Sequence, residues 1–122
     1  ICYKQRTKAN VVDHMTAIGE IEGRNIVLVD DLVDTGGTLC KAADMMMERG
    51  ALSVRAVCTH AILSGKAYDN IHNSKLTELI VTDTVPLKQE SPKIKVISVA
   101  ELFAKVIHSV QNYESISSNF IM

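Results

Sequence analysis

Asp30 and Asp31 stand side by side, and Asp34-Thr35-Gly36-Gly37-Thr38 follows after two apolar residues. The second run is small and polar and can cradle an anion. Its two glycines permit tight backbone turns, and Thr35 and Thr38 can add hydroxyl donors. A helix beginning after Thr38 would aim free N–H groups and the positive end of its dipole at the loop. Asp30 and Asp31 cannot face a phosphate without repulsion. They suit the hydroxyls of a sugar, or magnesium held through water. A phosphate cradle beside two carboxylates therefore reads as a site for a sugar phosphate.

Such a site needs a strand before it and a helix after it. Ile26-Val27-Leu28-Val29 is apolar and mostly β-branched, as in strands buried on both faces of a parallel sheet, and it delivers the aspartates at its carboxyl end. Beyond the loop, Leu39, Ala42, Ala43, Met46 and Met47 recur on one helical face, with Gly50 as the stop. The consecutive methionines Met45, Met46 and Met47 read as core filling.

The remaining elements alternate. Lys4-Gln5-Arg6-Thr7-Lys8 is a polar, basic loop without apolar period. Asn10 reads as a helix N-cap, with Val11, Met15 and Ile18 on one face and Gly19 at the end. Ser53 to Thr59 is a strand in which Val54, Ala56 and Cys58 alternate with Arg55, Val57 and Thr59, and it ends at His60. Ser64-Gly65-Lys66 turns into a short helix over 67–72. Strands are expected at 78–82 and 94–99, and a last helix over 100–113 with Leu102, Phe103, Val106, Ile107 and Val110 on its buried face. His14, His72 and His108 fall on expected helices as surface or boundary residues, whereas His60, at a strand end, is a candidate to approach the site. The expected fold class is α/β, a parallel, Rossmann-like sheet with helices on both faces and ligands at the carboxyl ends of its strands.

Composition bounds the function. The 122 residues suit one small domain, and 47% apolar residues are enough for a core. A net charge of -1 argues against nucleic acid held by a basic surface. Cys2, Cys40 and Cys58 lack metal-ligand spacing and read as free thiols of a reducing, cytoplasmic compartment. No apolar run is long enough to span a bilayer and no signal peptide is visible, so no membrane partner is expected. The chain opens on Ile1 and a polar stretch, which leads to the expectation of a further piece upstream.

Residues 26–38 resemble the phosphoribosyl pyrophosphate loop of type I phosphoribosyltransferases and ribose-phosphate pyrophosphokinases. Three other stretches are similar to the pyrophosphokinase family. Lys4-Gln5-Arg6 with Ala9-Asn10-Val11-Val12 and Met15, continuing through Ile18-Gly19-Glu20-Ile21-Glu22-Gly23, resembles its catalytic flexible loop and the helix after it. Asn73-Ser74, Glu78-Leu79 and Thr82-Asp83-Thr84-Val85-Pro86-Leu87 resemble the segment beyond the phosphate loop. Glu114-Ser115-Ile116-Ser117 with Phe120 resembles its C-terminal end.

The resemblance implies a C-terminal phosphoribosyltransferase-like domain over 1–122, with a catalytic loop at 1–9, a ribose 5-phosphate loop at 26–38 and a tail at 114–122. It implies transfer of the β,γ-pyrophosphoryl group of ATP to the C1 hydroxyl of ribose 5-phosphate, with release of AMP and with Mg2+ as cofactor. Lys4 and Arg6 match the loop lysine and arginine, and Gln5 stands where many relatives carry a second basic residue. Asp30 and Asp31 match the acidic pair near the ribose hydroxyls. Asp34, Thr35, Gly36, Gly37 and Thr38 match the 5-phosphate loop, and Arg6 joins them as a ribose 5-phosphate contact. Ser115, Ser117 and Phe120 match tail positions of an allosteric site between subunits, where the residues alone read as a polar terminus.

The family assembles homohexamers from dimers and draws its main ATP and magnesium contacts from upstream residues and a neighbouring subunit. Little synthase activity is therefore expected of this chain by itself. A phosphoribosyltransferase and a non-catalytic module of the same fold are the alternative readings.

Overall fold

Asn25–Val33, Ser53–Ala61, Glu78–Thr82 and Ile94–Ile97 form one sheet in which every neighbouring pair is parallel. This computed structural model describes residues 2–5, 14–17 and 19–120. Two short strands, β1 (Cys2–Gln5) and β2 (His14–Ala17), pair antiparallel in a sheet of their own. The four parallel strands are β3 to β6 in the order given, and their spatial order follows the sequence. Helix α1 (Gly37–Glu48) joins β3 to β4, α2 (Ala67–Asn73) joins β4 to β5, and α3 (Ala100–Gln111) follows β6. A 3-10 turn at Ser117–Asn119 lies in the tail.

The core lies between the sheet and its first two helices. On β4 the alternation places Val54, Ala56 and Cys58 inward, and Leu79 and Val81 do the same on β5. Leu39, Cys40, Ala43 and Met46 of α1 and Ala67 and Ile71 of α2 close over them in one cluster. Helix α1 stops as its sequence expects. Gly50 has φ of 95°, its N–H bonds the Met47 carbonyl and the Ala51 N–H bonds that of Met46, which is a Schellman closure. Ordered connections of this kind set the carboxyl ends of β3, β4 and β5 side by side.

Four expectations are corrected. Cys2–Gln5 is a strand rather than a loop, and His14–Ala17 is a strand rather than part of a helix, because each supplies the other's ladder partners. His14 therefore leaves the set of helical histidines. Strand β3 runs on through Asp30 and Asp31 to Val33, held by pairing with β4 as far as Val33–Ala61. Among the described residues helices do not cover both faces: Val27 and Val29 are 57% and 81% exposed on the second face, and α3 buries no residue. Leu102, Phe103, Ile107 and Val110 all lie in the open. An apolar stripe forms a helix wherever the chain allows, but burial also needs an opposing surface within reach.

Candidate functional site

Strand β3 carries Asp30 and Asp31 at its carboxyl half, both exposed. The pairing skips Asp31, resuming at Leu32 opposite His60, and the inward positions change parity there, from Cys58 to Ala61 on β4 and to Val33 on β3. The Asp31 N–H bonds the Asp30 Oδ1 at 2.9 Å, which leaves the other Asp30 oxygen free to accept. Across the ladder from Asp30 is Cys58, 1% exposed. Its thiol is pushed up to about 11, first by burial and then by the Asp30 charge. Cys40, on α1, is also pushed up, chiefly by burial.

The chain then turns through Asp34 and Thr35 to Gly36, whose φ of 77° is the left-handed conformation that glycine tolerates. Gly36 stands at the N-cap of α1, and its carbonyl takes the first helical bond, from the Cys40 N–H at 2.9 Å. No side chain caps this helix, and its first turn holds no acidic residue. The orphan N–H groups of the first turn and the positive dipole end are thus left for an outside anion. A Cβ on Gly37 would meet only the Thr35 Oγ1, at 3.8 Å, so the loop mouth is open on that side.

The segment from β4 to α2 backs this loop. The N–H groups of Ile62 and Leu63 both bond the Val33 carbonyl at 3.1 Å, and the Ser64 N–H bonds the Asp34 carbonyl at 2.9 Å. The Ser64 hydroxyl donates to the Asp34 carboxylate, and the Asn70 amide donates to the Thr35 carbonyl at 2.9 Å. Leu63 is buried at φ of 50°, a conformation that costs a non-glycine residue on the order of 1–3 kcal/mol and persists because its surroundings hold it.

Asp30 to Thr38 thus lie together at the carboxyl edge of the sheet, where sugar and phosphate groups bind in open α/β folds. Lys4 lies on β1, and Arg6 lies outside the described residues. His60 is exposed at the end of β4, in register with Leu32, and its Nδ1 pairs with the Thr84 hydroxyl at 2.9 Å. It stands beside the site on the neighbouring strand. Ser115 and Ser117 join hydroxyls at 2.9 Å, and Ser115 lines a shallow depression of about 500 Å³ with Lys105, His108 and Ser109 of α3. Phe120 is 57% exposed. The sequence reading missed Ser64 and Asn70. The Ser64-Gly65 turn signal was present, but nothing local pairs Ser64 with a residue thirty positions earlier.

A family model described as the phosphoribosyl synthetase-associated domain matches residues 4–121. The chain belongs to the phosphoribosyl synthetase-associated domain family. Within it, the chain is 52% identical over 118 residues to a ribose-phosphate pyrophosphokinase of Campylobacter jejuni, covering 97% of this chain and 38% of that protein. It is 54% identical over 121 residues to a ribose-phosphate pyrophosphokinase of Xanthomonas campestris, with the same coverage of both chains. Its fold is similar to a phosphoribosylpyrophosphate synthetase structure from Mycobacterium smegmatis, with a TM-score of 0.79 at 33% identity over 82% of this chain and 34% of that one. This phosphoribosyl synthetase-associated domain therefore has the phosphoribosyltransferase type of α/β fold, and it spans 38% of the length of the two curated relatives. Among its described residues no helix is long and apolar enough to cross a membrane.

Proposed function

We propose that this chain carries the ribose 5-phosphate site of a ribose-phosphate pyrophosphokinase. The observation that supports the reading is the uncapped start of α1 behind a left-handed Gly36, directly after two exposed carboxylates. The first-turn amides and the Thr35 and Thr38 hydroxyls take the 5-phosphate. Asp30 and Asp31 accept hydrogen bonds from the ribose hydroxyls. The reaction is transfer of the β,γ-pyrophosphoryl group of ATP to the C1 hydroxyl, leaving AMP. Lys4 and Arg6 neutralise charge on the transferring group when their segment approaches.

Magnesium belongs to the same proposal. Among the described residues no group of three or more His, Cys, Asp or Glu is placed to hold a metal ion. Two adjacent exposed carboxylates do fit Mg2+, which keeps several waters and is bound through one or two carboxylates together with substrate phosphates. Asp30 or Asp31 would hold it through water, as the alternative to their contacts with the ribose hydroxyls, and when bound it would neutralise phosphate charge. ATP as the donor, assembly into oligomers built from dimers, and a cytoplasmic location complete the reading. The tail residues Ser115, Ser117 and Phe120 are proposed as an allosteric patch completed by a second subunit.

Calorimetric titration with ribose 5-phosphate, with and without Mg2+, tests the site. The chain is expected to show saturable binding, and Gly37→Val to abolish it by placing two methyl groups at the loop mouth. Absence of binding by the parent chain would overturn the reading. Little or no AMP is expected when the purified chain is given ATP and ribose 5-phosphate, because the main ATP contacts are assigned to the rest of the enzyme. Robust AMP release would overturn that assignment.

A further inference from the structure

We propose that Ser64 and Asn70 are positioning residues for the phosphate loop, setting its amides for an anion before one arrives; this rests on the ribose 5-phosphate reading above. Both lie outside residues 34–38, Ser64 on the segment that connects β4 to α2 and Asn70 on α2 itself. Ser64 grips Asp34 twice. Its N–H bonds the Asp34 carbonyl at 2.9 Å and its hydroxyl donates to the Asp34 carboxylate. Asn70 donates to the Thr35 carbonyl at 2.9 Å.

These bonds orient peptide planes. In a trans peptide the carbonyl and the following N–H point in opposite directions, and the described residues contain no cis bond. With the Asp34 carbonyl drawn to Ser64, the Thr35 N–H faces away from the clamp. With the Thr35 carbonyl drawn to Asn70, the Gly36 N–H does the same. Two donors are thereby turned to the side not occupied by Ser64 and α2. The clamp also answers a charge problem. Asp34 is a carboxylate at the edge of an anion site, and a hydroxyl donated to it holds it in one place and spreads its charge.

The clamp is anchored rather than free. Leu63 and Ile71 are buried, Ala67 donates to the Ser64 carbonyl at 3.1 Å, and Asn70 donates its own N–H to the Lys66 carbonyl at 2.8 Å. Ser64 and Asn70 are therefore held by the core on one side and hold the loop on the other. A loop ordered in advance loses less freedom when its ligand binds.

The test uses backbone order parameters of the free chain together with ribose 5-phosphate titration. In the parent chain, the Thr35, Gly36, Gly37 and Thr38 amides are expected near the rigid value of ~0.85. Ser64→Ala is expected to lower them toward ~0.6 and to weaken ribose 5-phosphate binding by about tenfold, with the global unfolding midpoint held. Ser64→Thr, which keeps the hydroxyl, is expected to restore both. Asn70→Ala is expected to loosen Thr35 and Gly36 in the same manner and carries the test if Ser64→Ala does not fold. Unchanged order parameters in the alanine variants would overturn the proposal, as would a loosened loop that binds ribose 5-phosphate with parent affinity. If the parent chain binds no ribose 5-phosphate, the binding reading fails while the order parameters still decide whether Ser64 and Asn70 set the loop.

Discussion

Cys58 lies directly opposite Asp30 in the β3–β4 ladder, so a buried thiol and an exposed carboxylate share one rung at the edge of the candidate site. Burial first, and the Asp30 charge second, push the thiol up to about 11. A thiol that stays protonated is a poor nucleophile. On treatment with iodoacetamide at pH 8, exposed Cys2 is expected to be alkylated first, while buried Cys58 and Cys40 react only after denaturant is added. Peptide mass spectrometry distinguishes the three sites, and rapid labelling of Cys58 in the native chain would contradict the burial. The sign for stability follows from the raised folded value. The contribution is present below the ordinary thiol range and is lost as pH rises through about 11. Denaturant midpoints measured between pH 8 and 11 are expected to fall at the alkaline end, and less so in Cys58→Ala.

Gly36 and Gly37 are neighbours with opposite sensitivities. Gly36 has φ of 77°, while a Cβ there would meet Ile71 Cγ1 at an ordinary 3.7 Å. Gly36→Ala is therefore expected to cost about 1 kcal/mol through backbone strain rather than through a clash. Gly37 has no positive φ and a near-empty surrounding, so Gly37→Ala is expected to change stability by less than about 0.5 kcal/mol. Urea denaturation of the two variants separates these outcomes.

The two faces of the sheet predict different costs. Leu79 is fully buried in the core cluster, and Leu79→Ala is expected to destabilise the chain by about 2–5 kcal/mol through lost transfer energy and a cavity. Val29, 81% exposed, has little to lose, and Val29→Thr is expected to stay within about 0.5 kcal/mol. A large loss at Val29 in chemical denaturation would show that its face is covered in solution.

Asp83 organises the entry to α3. Its carboxylate accepts from the Ser98 hydroxyl at 2.5 Å and from the Val99 N–H at 2.8 Å, and the Ser98 bond foremost holds its carboxyl below the usual carboxylate range. Because the folded value is depressed, this support is present above the unfolded carboxylate pKa and is lost as pH falls through the folded value. Asp83→Ala is expected to speed amide exchange in the first turns of α3 while leaving β3 to β5 protected. Acidification of the parent chain through that depressed value is expected to do the same. Uniform loosening of the whole chain would contradict a local role.

Much of this molecule could be read from local pattern. The apolar run at 26–29, the alternation of Val54, Ala56 and Cys58, and the helical stripe from Leu39 to Met47 each state their own period, and each stretch lies within an element of that type, although β3 runs on to Val33. The order of residues from Asp30 to Thr38 likewise brings carboxylates, glycines and a helix start together with no need of distant contacts. Pairing and coverage are different matters. Val11, Met15 and Ile18 carry a helical spacing, yet His14–Ala17 pairs with Cys2–Gln5, because a ladder partner outweighs a weak local period. Val29 and Phe103 are apolar enough for a core and lie exposed, because burial depends on which surface arrives opposite.

The sequence by itself determined the family and, from Asn25 onward, the alternation of strand and helix, since both are carried by runs of neighbouring residues. The tertiary structure alone decided what holds the loop from Asp34 to Thr38. Ser64 and Asn70 reach Asp34 and Thr35 across thirty and thirty-five positions, and Asp30 meets Cys58 across twenty-eight. Such contacts exist only once β4 has paired with β3 and α2 has packed on α1. Hydrogen bonds and burial depend on distance in space, which no run of adjacent residues encodes.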